Sequence, residues 1–156
     1  MKKSILSQLN SPWAMWFFRL TKLPAAWFMG VRIHEVTLKR GVVKIPFGWR
    51  SQNPFQSTYF AAQMAAAEMS TGVLVLANID GRNISMLVQH VAADFLKKAT
   101  DTLTFICEDG DGVQQAIEHT LTTGEGCTFR MNSVGYLPDG QIACKMQIDW
   151  AVKRRK

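Results

Sequence analysis

One carboxylate stands alone near the middle of the chain. Between Arg50 and Asp80 the only charged residue is Glu68, and it falls inside the small and apolar run AAQMAAAEMSTGVLVLA. A carboxylate in a dry site resists ionising, so its pKa rises toward the range useful to a general base. Its neighbours one turn away are Met64, Ala65, Thr71 and Gly72, mostly small, which leaves room for a ligand beside it. A helix that starts near residue 60 offers unpaired backbone N–H groups and the positive end of its dipole. The N–H groups of Phe60 and Ala61 are therefore candidates to bind a carbonyl oxygen, with Asn53 and Tyr59 as nearby hydrogen-bonding side chains. Each residue has a plainer reading: Glu68 as a carboxylate paired with an arginine or a backbone N–H, Asn53 as a turn cap, Tyr59 and Phe60 as core aromatics.

Size and composition bound the alternatives. The 156 residues suit one domain with a real core, and the apolar and charged fractions are ordinary for a soluble protein. The formal charge is +6, with Lys2 and Lys3 at one end and Lys153, Arg154, Arg155 and Lys156 at the other. These read as solvated, frayed ends. No basic stripe interleaved with aromatics marks a nucleic-acid surface. Cys107, Cys127 and Cys144 are odd in number and widely spaced, and His34, His90 and His119 are scattered, so neither a disulfide framework nor a metal site is expected. Reduced, mostly buried thiols in the cytoplasm are the better expectation.

The elements that must position Glu68 follow from periodicity. Ser11 and Pro12 suit a helix start, after which Trp13, Trp16, Phe17 and Leu20 share a face. That face is expected to pack in the core or an interface; a membrane-surface helix is the lesser alternative, and membrane association is not expected. Residues 31–38 and 42–47 read as strands. The loop Gly48–Ser57 then leads into a helix that is apolar nearly all round and so must be buried. A charge at its centre argues against a membrane span. Strand patterns follow at 84–97 and 102–107, then a short amphipathic helix with Val113, Ala116, Ile117, Thr120 and Leu121 on one side, a strand at 127–136, and the turn LPDGQ. In the last strand Ile142, Cys144, Met146, Ile148 and Trp150 face one way. The pattern predicts an α+β domain in which an antiparallel sheet wraps around one long central helix, with an extra amino-terminal helix.

A sheet wrapped around one helix is the hotdog fold, and the stretch around Glu68 resembles hotdog thioesterases of the phenylacetyl-CoA thioesterase kind. Those proteins carry an Asn, a loop, a His-Gly-Gly helix start and an acid two turns into the helix. Here Asn53 stands at the Asn position, Tyr59 where His is expected, Phe60 and Ala61 in place of the glycines, and Glu68 at the acidic position without a gap. In HVAADFLKKATDTLTF, residues Phe95, Leu96, Lys97 and Ala99 resemble the turn that closes the family's long strand, with Lys98 where Pro is common. The resemblance implies a hotdog core at 31–152, a helical extension at 1–30 and a basic tail at 153–156, within one domain. It implies an acyl-CoA thioesterase in which Glu68 acts as base or nucleophile, Asn53 orients water or the carbonyl, and Tyr59 donates in place of His. Phe60, Ala61, Thr71, Gly72, Lys97, Lys98 and Arg130 would contact substrate, the lysines and Arg130 through coenzyme A phosphates. Arg130 reads equally as a partner for a carboxylate. No cofactor is implied beyond the coenzyme A or acyl-carrier portion of the substrate, and the site lies between subunits of a dimer or tetramer. The alternatives are a non-catalytic acyl- or lipid-binding protein, a hydratase lacking its usual histidine, and an interaction module.

Overall fold

The computed structural model describes residues 4–155, so Lys2, Lys3 and Lys156 lie outside the described residues. Three short helices come first: α1 (Ile5–Leu9), α2 (Pro12–Lys22) and α3 (Pro24–Met29). Then follow β1 (Arg32–Val36), β2 (Gly41–Ile45), the long helix α4 (Phe60–Asn78), β3 (Ile84–Phe95), β4 (Leu103–Cys107), α5 (Gly110–Thr123), β5 (Cys127–Tyr136) and β6 (Ile142–Arg154). The strands form one antiparallel sheet in the order β1-β2-β4-β5-β6-β3. This is the hotdog fold. α4 is the filling: it packs on β1, β2, β4, β5 and β6 and hardly touches β3.

The sequence of α4 explains how closely the sheet can wrap it. Ala62, Ala66 and Ala67 are fully buried, and their small side chains let strands approach the helix backbone. The closest approach is at Gly41 of β2, where a Cβ would lie 2.2 Å from the carbonyl oxygen of Ser70. Ser70 Oγ meets Ser133 Oγ of β5 at 2.7 Å, so two buried hydroxyls satisfy each other across the core. Leu74, Phe105, Met131, Ile45 and Ile148 fill the space between, all fully buried. By length and composition α4 would pass as a membrane span, but most of it is enclosed by the sheet.

Two expectations are narrowed. The face of α2 that carries Trp13, Trp16 and Phe17 does not pack in the core of this chain, which leaves the interface alternative: Trp13 is 82% exposed and Phe17 63%. Met15 and Arg19 face inward instead. The carboxyl end is ordered as far as Arg155, because β6 continues to Arg154 and the Arg155 N–H donates to the Asn83 carbonyl at 2.9 Å.

The two sheet edges are treated differently. At β1 the Asn10 side chain plays the part of a neighbouring strand: its amide donates to the Val36 carbonyl (2.8 Å) and accepts from the Val36 N–H (3.0 Å). At the other edge nothing among the described residues pairs with the outer side of β3, which has 12 residues.

The three thiols are free, with Cys107 and Cys144 buried and Cys127 half-buried. Burial pushes both Cys107 and Cys144 up to about 12. A disulfide reagent at neutral pH is therefore expected to modify one thiol, Cys127, in the native protein and all three after denaturation; rapid native modification of two or three would contradict this packing.

Candidate active site

The chain enters α4 through a loop locked by backbone bonds. The Tyr59 N–H donates to the Ser51 carbonyl at 2.7 Å, and Ser51 Oγ donates to the Pro46 carbonyl at 2.6 Å. Asn53 caps the turn that follows: its Oδ1 accepts from the N–H groups of Phe55 (3.0 Å) and Ser57 (3.2 Å) and from the Ser57 hydroxyl (3.1 Å). That spends the carbonyl half of the amide on the loop and leaves the NH2 half for other work. Gln56 takes a left-handed conformation within this turn, with φ 57°. The Tyr59 carbonyl then accepts from Ala62 (3.0 Å) and Gln63 (3.1 Å). The N–H groups of Phe60 and Ala61 have no partner among the described residues. They are the free donors a helix start supplies, and the positive dipole end stands behind them.

A cavity of about 460 Å³ opens at this helix start, and five residues singled out from the sequence line it: Asn53, Tyr59, Phe60, Lys97 and Lys98. Their distance in sequence, some forty positions, is closed by the turn after β3, whose Leu96 and Lys97 N–H groups both donate to the Ala143 carbonyl (2.8 and 3.0 Å). Tyr59 and Phe60 are not core aromatics. Their rings meet edge-on with centroids 4.8 Å apart, and Phe60 meets Phe95 at 6.5 Å, giving the cavity an aromatic wall. Lys97 Nζ donates to Gln141 Oε1; Lys98 is exposed and has no partner among the described residues.

Gln63, absent from the sequence-based candidates, also lines the cavity. Its Nε2 donates to the Thr58 carbonyl at 2.9 Å, while its buried Oε1 has no partner among the described residues. An unpartnered buried acceptor is uncommon and marks a place for a donor. The signal was available: Gln63 is the first polar side chain in an otherwise apolar helix.

Glu68 lies outside this cavity, two turns further along α4. Its carboxylate is half-buried and has no hydrogen bond or ion pair among the described residues, so burial alone pushes it above the usual carboxylate range. Gly72 makes space beside it: a Cβ there would stand 3.5 Å from Glu68 Oε1 and 3.2 Å from Trp150 Cζ2. Thr71 is turned into the core. It is fully buried, its hydroxyl donates to the Glu68 carbonyl (2.9 Å) and accepts from Trp150 Nε1 (2.9 Å), and it thereby fixes the indole next to Gly72. Arg130 takes the second role open to it. On the outer face of β5 it grips Asp149 of β6 through both carboxylate oxygens, at 2.7 and 2.9 Å. Each group pulls the other toward its charged form.

The helix start and Glu68 are joined by a stripe of half-buried positions, Ala61, Met64, Ala65 and Glu68, spaced i, i+3, i+4 and i+7. One end of this stripe meets β3 through Phe60 and Phe95. The other reaches Trp150, the β6 residue paired with Val88 of β3. The stripe runs from free N–H donors at one end to a carboxylate with a raised pKa at the other.

Residues 13–152 match the family described as Domain of unknown function (DUF4442). No curated protein matches the chain. Among solved structures, a Pseudomonas aeruginosa protein described as a probable thioesterase superposes with a TM-score of 0.80 at 14% identity, over 93% of this chain and 97% of that one. A Haemophilus influenzae thioesterase superposes at 0.71 with 14% identity, over 98% and 93%. A Staphylococcus aureus thioesterase, solved with one glutamine replaced by alanine, superposes at 0.63 with 16% identity, over 80% and 94%; the same protein is also known with one glutamate so replaced.

Proposed function

The chain belongs to the DUF4442 family, and on that premise we propose that it hydrolyses acyl thioesters, with Glu68 as the general base. The observation that carries the reading is the desolvated Glu68 carboxylate, which has no hydrogen bond or ion pair among the described residues, on the same helix whose start leaves its N–H groups free. The glutamine and glutamate replaced in the Staphylococcus aureus thioesterase are fifteen positions apart, the separation of Asn53 and Glu68.

The chemistry is as follows. Glu68 takes a proton from water as its oxygen attacks the thioester carbonyl carbon. The carbonyl oxygen becomes an oxyanion, held by the N–H groups of Phe60 and Ala61. The C–S bond then breaks, the proton passes from Glu68 to the departing thiolate, and the products are a carboxylic acid and a free thiol. Asn53, through its NH2, and Tyr59 orient the carbonyl. The aromatic wall suits the acyl group, and Lys97 and Lys98 stand at the cavity edge where the phosphates of coenzyme A, or of an acyl carrier's prosthetic arm, would pass. The proposed setting is the cytoplasm.

One chain does not complete this site. Glu68 is eight residues beyond Phe60, which at the helical rise is roughly 12 Å along the axis, too far for both to reach one carbonyl group. A second copy must supply one of the two, and the open edge of β3 is the natural contact. The protein is therefore expected to be a dimer, or a tetramer of such dimers.

Phe60→Pro tests the arrangement. Proline suits the first helical position, and the extended backbone of Tyr59 (φ −58°, ψ 136°) already suits a following proline. The change removes one N–H, with Phe60→Ala as control for the ring. Phe60→Pro is expected to lower kcat about 100-fold relative to Phe60→Ala. Mixing it with Glu68→Gln, by unfolding and refolding together, is expected to restore part of the activity, because mixed dimers then hold one intact site. No restoration from mixed dimers would place both groups in one chain.

A non-catalytic acyl-binding role is the second reading. The ring cluster of Tyr59, Phe60 and Phe95 at the cavity favours it, since such a wall would hold an acyl or aromatic group whether or not it is cleaved.

A further inference from the structure

The amino-terminal helices carry an exposed aromatic surface that the proposed hydrolysis does not use. On α2, Trp13, Trp16 and Phe17 recur at i, i+3 and i+4 and all are exposed. On α3 Phe28 is exposed, and its ring meets that of Trp49 at 6.1 Å, Trp49 itself being 78% exposed. Indole and phenyl groups left in water on one face of a helix are the composition of an interfacial membrane helix.

The charged residues that α2, α3 and the start of β1 themselves carry are all basic: Arg19, Lys22 and Arg32. Glu35 is itself engaged by Arg40 at 3.7 Å. Between the aromatic helices and β1 lies a cavity of about 600 Å³, and Arg19, Arg32, Arg50, His34, Trp16 and Trp27 are among its walls. No carboxylate among the described residues lines it. Arg19 is one of its walls: the residue is largely buried, and among the described residues its guanidinium donates to backbone carbonyls, of Met15 at 3.2 Å and of Val31. Burial and the charge of Arg32 both work against the charged form of Arg19. A buried cation without an anion is costly, and an anion entering the cavity would relieve that cost. The start of α2 adds its positive dipole end at Ser11 and Pro12, which also line the cavity, and the Ser11 side chain makes no cap bond.

We propose that the α2–α3 face docks on an anionic phospholipid bilayer, with Trp13, Phe17 and Phe28 entering the interface and the arginine-walled cavity receiving a lipid phosphate. An aromatic face supplies the apolar contact, and the arginines of the adjoining cavity supply the preference for acidic lipid. The inference is independent of thioester hydrolysis, and either can fail without the other.

The test is co-sedimentation of the full chain with vesicles of phosphatidylcholine alone and with phosphatidylglycerol added, alongside tryptophan emission with brominated lipid. Binding to the acidic vesicles is expected to exceed binding to the neutral ones by about tenfold or more and to weaken with salt. Tryptophan emission should shift to shorter wavelength and be quenched by the brominated chains. The double variant Trp13→Ser/Phe17→Ser, and separately Arg32→Glu/Arg50→Glu, should each abolish binding while hydrolysis of a water-soluble thioester and the melting temperature stay unchanged. The charge-reversal pair decides the matter alone if the aromatic pair fails to fold. Absence of binding to acidic vesicles overturns the proposal. So does a fall in particle mass by light scattering in the aromatic variant, which would make this face a contact between copies of the chain.

Discussion

Glu68→Gln is expected to lower thioester turnover by about 100- to 10,000-fold, the range a general base contributes, and to leave the fold intact. It is also expected to raise the melting temperature at neutral pH, because the change removes a charge that is buried without a partner. The sign follows from the direction of the shift. Burial raises the folded-state pKa of Glu68 above its unfolded value. The native protein therefore holds more protons than the unfolded chain between the two values, and stability falls as pH rises through that window. Activity runs the other way, since the base must be ionised, and should climb through the raised pKa. In Glu68→Gln both slopes should flatten. A marked fall in melting temperature instead would mean that the carboxylate holds a cationic partner in the native protein, and its role would then be structural.

The largest expected effect on stability lies elsewhere. Gly41→Ala places a Cβ 2.2 Å from the Ser70 carbonyl oxygen and 3.2 Å from Val73 Cγ2, at the point where β2 crosses α4. The obstacle is backbone, so it cannot rotate away, and Ser70 is itself tied to Ser133. A loss of about 3 kcal/mol or more is expected, roughly 6–12 °C in melting temperature for a domain of this size. Gly112→Ala is the control. It sits in the first turn of α5 with nothing near the added methyl, and is expected to be neutral or to stabilise by up to about 1 kcal/mol. Equal effects at the two positions would mean that β2 does not approach α4 as closely as described.

Much of this architecture was legible in the residues because burial leaves a period. The last strand alternates Cys144, Met146, Ile148 and Trp150 inward, and all four are buried as the alternation requires. α4 is apolar nearly all round because the sheet encloses most of its circumference. The helices α1 and α3, five and six residues long, left no such signature. The orientation of α2 was left open between core and interface for a different reason. Periodicity says which residues share a face, not which way the face points, and here the helix turns its aromatics outward and packs Met15 and the Arg19 stem inward. Long side chains permit this, since an arginine can bury its stem and seek carbonyls with its head.

The candidate site was legible in part, and the limits are again physical. Asn53, Tyr59, Phe60, Lys97 and Lys98 meet at one cavity although two segments supply them. Thr71 was placed near Glu68 correctly, but its hydroxyl is spent on Trp150, a residue 79 positions away that only the fold brings there. Arg130 was open between a phosphate and a carboxylate until the register of β5 on β6 set it opposite Asp149. Gln63 was visible as a polar interruption, yet only its buried, unpartnered Oε1 gives it meaning.

The most direct measurement is hydrolysis of short, long and aromatic acyl-CoAs by the pure protein, followed with a thiol-reactive dye and repeated with Glu68→Gln. Release of free thiol from at least one member by the wild-type chain, lost in the variant at equal or higher melting temperature, is the result expected. A stable, dimeric wild-type protein that cleaves no member of the panel, while calorimetry shows it binding one of them, would contradict catalysis and leave acyl binding in its place.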